Sequence, residues 1–172
     1  MRIKKLITIL LLIGMSFVGV YYLRLHSPIF NFFFHPKGLY DDLASTKLEI
    51  GRTGSKYGMP FETRFPGNHS VDLILEKPNI DGKYFGNYEL EIRITNKDKK
   101  VILLKRIIPT GPDYAFWGGQ ANSGCSLLRF KVPSDIPLRK PLLAEISVIR
   151  SDTNFEKNYG NVRLVIRKFS DE

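Results

Sequence analysis

The 172-residue chain carries 26 Lys and Arg against 17 Asp and Glu, with 43% hydrophobic and 25% charged residues. That composition excludes a disordered chain and a multi-span membrane protein, and it fits one domain plus an appendage, since a domain usually holds about 100–150 residues. Arg2, Lys4, Lys5 and Arg24 flank a single apolar run, and the remaining basic residues are scattered along the chain, which argues against a nucleic-acid partner.

Residues 1–5 form a basic N-terminus, and Leu6 to Leu23 follow as an uncharged run, LITILLLIGMSFVGVYYL. At about 1.5 Å per residue the run reaches roughly 27 Å, close to a hydrocarbon thickness of about 30 Å. Residues 6–23 are therefore expected to be a single-pass signal anchor in the bilayer of an inner, cytoplasmic membrane. The positive charges before it hold the N-terminus in the cytoplasm and place the C-terminal domain on the periplasmic, extracytoplasmic side. A cleaved signal peptide would end in small residues, but no alanine precedes Ala44, and Tyr21 and Tyr22 close the run as interfacial aromatics. Residues 24–45 make a juxtamembrane segment whose Phe30, Phe32, Phe33 and Phe34 are candidates for the membrane interface.

From residue 46 to 172 the apolar period is two, broken by regular turn signals, which predicts an all-β domain. Short strands are expected at Lys47–Ile50, Met59–Phe65 and Val71–Glu76. The clearest strand places Tyr88, Leu90, Ile92 and Ile94 on one face, and Asn96-Lys-Asp-Lys-Lys turns it into a hairpin with Val101–Lys105. Leu128 to Val132, Ala144 to Val148 and Val162 to Ile166 alternate in the same way. About eight strands with one apolar face each predict an antiparallel, two-sheet immunoglobulin-like sandwich. No helical period is expected outside the anchor.

The C-terminal half carries Phe130-Lys-Val-Pro133, Ala144-Glu-Ile-Ser-Val148, Ser151-Asp152, Phe155, Tyr159-Gly160 and Leu164-Val-Ile-Arg-Lys168. In these motifs, over about Met59 to Lys168, the chain resembles an exported bacterial β-sandwich family of unknown function. Many members of that family are lipoproteins, whereas here an uninterrupted apolar run stands where a lipidated cysteine would be. The resemblance implies an envelope location and leaves activity open.

No motif for nucleophilic, phosphate or metal chemistry is present: His26, His35 and His69 lie apart, and Cys125 is a lone cysteine expected to be buried. The chain is thus expected not to be an enzyme and to need no cofactor or metal. One candidate site remains, the Gly- and Pro-rich connection from Pro109 to Gly124, where Tyr114, Phe116 and Trp117 could anchor a protein partner or instead cap the sandwich or form a short strand. The functional expectation is an envelope-tethered binding module, with an immunity or toxin-neutralising role as one version. A structural or assembly accessory of an envelope complex is the alternative, and an envelope-polymer enzyme a minor one. Intact-mass measurement on membrane-extracted protein is expected to find residues 6–23 retained; a mature terminus between Leu23 and Ala44 would contradict the anchor.

Overall fold

The computed structural model describes residues 2–26, 37–77, 86–109, 115–118 and 123–169; at 2–8, 10, 23–26 and 115–118 only the backbone is described. The chain divides into two compact units, the first containing residues 1–39 and the second Tyr40–Ser170. In the first, α1 runs Arg2–His26. Its described side chains, Ile9 and residues 11–22, are all exposed and mostly apolar, and Ser16 donates its hydroxyl to the Leu12 carbonyl at 2.8 Å. Among the described residues no helix is long and apolar enough to cross a membrane.

The second unit contains β1 (Asp42–Leu48), β2 (Lys56–Glu62), β3 (Asn68–Leu75), β4 (Glu89–Asn96), β5 (Val101–Ile107), β6 (Ala115–Gly118), β7 (Ser123–Lys131), β8 (Pro141–Arg150), the short helix α2 (Thr153–Tyr159) and β9 (Val162–Lys168). β1 starts ahead of the boundary expected at residue 46. The strands form two antiparallel sheets, β1-β9-β3-β7-β6 and β2-β8-β4-β5, and so a sandwich. Inside it, Val71, Leu73, Leu128, Leu164 and Ile166 of one sheet meet Leu90, Ile92, Ile94, Leu142 and Ile146 of the other in one buried core. Fully burying an aliphatic side chain of this size contributes about 1.5–3 kcal/mol, so this inner layer is the main source of stability.

The strand order differs from the immunoglobulin-like expectation. β1 pairs with β9, β2 with β8, β3 with β7 and β4 with β5, a nested set that wraps so that β3 also meets β9 and β4 also meets β8. The first four strands alternate between sheets, whereas the opening two strands of an immunoglobulin domain share one. Nested pairs wrapped into two sheets are the arrangement of a jelly roll. The period-two pattern fixes which face of a strand is buried but carries no information on its neighbours, and the order therefore lies beyond the sequence pattern.

The innermost pair is the hairpin expected from Asn96. Its side-chain oxygen accepts the N–H groups of Asp98 and Lys100 at 3.0 and 2.9 Å, while Lys99 takes a left-handed φ of 61°. At one end of the sandwich α2 is a second departure, a helix where none was expected. Asp152 caps it, accepting from the N–H groups of Asn154 and Phe155 at 3.0 and 3.2 Å and, through its other oxygen, from Asn87 at 2.5 Å. Phe155 and Tyr159, one turn apart, are buried, and the Phe155 ring meets Tyr88 edge-on at 4.9 Å. Gly86, at φ 93°, must lack a side chain, because a Cβ would come within 2.7 Å of the Tyr88 ring and 2.8 Å of Phe155. The end is tied down by Glu76, whose carboxylate accepts from the backbone and side-chain nitrogens of Asn161 at 2.7 and 2.8 Å.

Phe155→Ala is expected to cost about 3–5 kcal/mol, read as a lower urea midpoint, because it empties the aromatic plug. The backbone N–H of Asn161, and then its side chain, hold the Glu76 carboxyl below its ordinary value of 4.5. A lowered folded-state value stabilises the fold above the ordinary value, and this contribution is lost as pH falls through the lowered one. Acid titration of stability should therefore be shallower in Glu76→Gln; an identical acid limb would contradict the assignment.

Candidate functional site

The two outer faces of the sandwich differ in kind. On the five-stranded sheet, Val165 of β9 lies opposite Asp72 of β3, and Asp72 opposite Ser126 of β7, on the side away from the core. These residues are nevertheless buried, Val165 at 0%, Asp72 at 1% and Ser126 at 7% exposure. Asp72 accepts from Arg167 Nε at 2.6 Å and from the Ser70 hydroxyl at 3.0 Å, so this charge is neutralised within the fold. A buried carboxylate left without its cation costs several kcal/mol, which makes the pair a structural clamp between β3 and β9.

The four-stranded sheet presents an open outer face. Its register lines up three rows across β2, β8, β4 and β5: Lys56, Ser147, Glu91 and Arg106; Gly58, Glu145, Arg93 and Leu104; Pro60, Leu143, Thr95 and Val101. The first row is charged. Arg106 reaches Glu89 and Glu91 at 3.6 Å each, and no ion pair among the described residues holds Lys56, Arg93 or Glu145. The last row is apolar but for Thr95; its Val101 and Leu143, and Leu104 of the central row, are exposed at 48%, 37% and 52%. Between them lies a depression of about 260 Å³ bordered by Lys56, Tyr57, Arg93 and Glu145. Gly58 forms its floor, where an added Cβ would meet only Leu143 Cδ1 at 3.8 Å. Apolar residues flanked by charges of both signs suit recognition of another folded surface.

Solved structures align with the chain at low identity. A crystal structure of a protein from Sulfurospirillum deleyianum aligns with a TM-score of 0.50 at 11% identity, over 72% of this chain and 95% of that one. A carbohydrate-binding module from Caldicellulosiruptor saccharolyticus, solved with mannohexaose, aligns at 0.40 and 10% identity over 73% of each chain. A 4-O-methyl-α-glucuronidase with specificity for decorated arabinogalactans aligns at 0.35 and 7% identity, over 73% of this chain and 14% of that one. The first of these supports the sandwich fold, and none carries a function across. No family profile and no curated protein sequence matches the chain.

Among the described residues singled out from the sequence as site candidates, none belongs to the strands of the four-stranded sheet. Tyr114, Phe30, Phe32, Phe33 and Phe34 fall outside the described residues, while Tyr21 and Tyr22 are exposed on α1. The connection holding Phe116 and Trp117 contains an edge strand, β6, whose backbone pairs Phe116 with Cys125 and Trp117 with Gly124 on the other sheet. Cys125 itself is buried in the core, as expected. Part of the signal for the open face was present in the sequence: Leu143 shares the strand phase of Glu145 and Ser147. Gly58→Ala is expected to raise stability by about 0.5–1 kcal/mol, since a mid-strand glycine weakens a strand and the new methyl enters open space; a loss on urea denaturation would mean that the floor is already filled.

Proposed function

We propose that this chain is a membrane-tethered, non-enzymatic binding module that captures a protein through the outer face of its four-stranded sheet. The observation that carries the reading is the set of three exposed apolar side chains, Leu104, Leu143 and Val101, on one sheet face beside a charged depression. The tether is residues 6–23 within α1, retained as a single span with the N-terminus in the cytoplasm and the sandwich periplasmic. Its support is the unbroken apolar sequence and the basic residues before it. A tether of this kind concentrates the module where an envelope partner resides and raises its effective concentration without further contacts.

Leu104→Asp with Leu143→Asp is the direct test. Both positions are solvent-exposed, so the thermal midpoint should hold, while recovery of a partner by affinity capture from native membranes should fall at least tenfold, about 1.4 kcal/mol or more. Unchanged recovery from a folded double variant would remove this face from the function.

A further inference from the structure

The open face is complementary to itself. In its central row Gly58, Glu145, Arg93 and Leu104 stand on β2, β8, β4 and β5 in that order. A twofold axis running along the strands, midway between β8 and β4, exchanges the first position with the fourth and the second with the third. Leu104, 52% exposed, then stands over Gly58 of the second copy, where the floor bears no side chain. Glu145 stands over Arg93 of the second copy, and the symmetry makes each of these contacts twice. Along the apolar row Pro60 meets Val101 and Leu143 meets Thr95. Along the charged row Lys56 faces Arg106, but Glu89 and Glu91 at 3.6 Å already offset the Arg106 charge. An axis running across the strands through the central row would instead set Glu145 on Glu145 and Arg93 on Arg93. Charge thus selects one of the two twofold arrangements, and facing sheets at about 10 Å with nearly aligned strands leave room for these side chains to interdigitate.

We propose that the partner on this face is a second copy of the chain, forming a symmetric dimer with Leu104 seated over Gly58 and Glu145 paired with Arg93 across the interface. This rests on the reading of the four-stranded face as the recognition surface. Confinement of both copies to one membrane would favour the same association.

The test uses the full chain in detergent, with mass measured by sedimentation at micromolar concentration. The unmodified protein is expected to be dimeric, and Glu145→Arg and Arg93→Glu, each at an exposed site, are each expected to weaken the dimer about tenfold or more with the thermal midpoint unchanged. Mixing the two single variants should restore dimer, because one copy then presents two cations and the other two anions. Mixing also separates the interface from the contact between these neighbours within one sheet, which it cannot repair. A monomeric full chain, single variants that remain dimeric, or a mixture that stays monomeric would each overturn the proposal. Should the chain be monomeric while Leu104→Asp with Leu143→Asp still abolishes capture of a different protein, the dimer falls and the recognition face stands; loss of neither property would remove both.

Discussion

Everything in the second unit follows from the nested pairing of its strands. β1 and β9 lie at opposite ends of the domain sequence, and their pairing from Leu48 opposite Val162 to Asp42 opposite Arg167 closes the set around the innermost β4–β5 hairpin. Closing such distant ends has an entropic cost that grows only slowly with the length enclosed, and it is met here by the core that the wrapped sheets enclose. The order of closure also decides which strands flank which. It brings Gly58, Glu145, Arg93 and Leu104, from four separate stretches of sequence, into one line.

The two outer faces then take different roles. The ion pair of buried Asp72 with half-buried Arg167 links β3 to β9, the two strands that join the nested pairs into a single sheet. Val165, Ser70 and Ser126 beside it are buried, so among the described residues the centre of that face exposes no apolar patch. On the other sheet, apolar side chains remain in water at Leu104, Leu143 and Val101. Exposure of that kind is a standing cost for a monomer and a source of affinity for a binder.

Much of the sandwich was legible in the sequence because alternation is a local signal. Tyr88, Leu90, Ile92 and Ile94 are all at 0% exposure, as their spacing implies, and the Asn96 turn joins the expected strands. What was illegible is what depends on distant partners. The jelly-roll order is not encoded in any one strand, and β6 is too short, at Ala115–Gly118, to show a period. α2 spans barely two turns, so no helical period could emerge, although Asp152 as cap, the Phe155 and Tyr159 spacing and Gly160 at φ 73° mark it by residue type. The open face was only partly legible: Leu143 shares the phase of Glu145 and Ser147, whereas Leu104 lies in the unbroken apolar run from Val101, whose outward positions only the register reveals.

If the outer face of the four-stranded sheet is a recognition surface, it is covered when the protein is in its membrane. Hydroxyl-radical footprinting of the full chain, in native membranes and again as dilute detergent-solubilised protein, measures this at single side chains. Oxidation of Leu104, Leu143 and Val101 should be suppressed in the membrane and recover on dilution, while Leu138, exposed at 43% in a turn, reacts equally in both. Equal oxidation of all four residues in both states would contradict it.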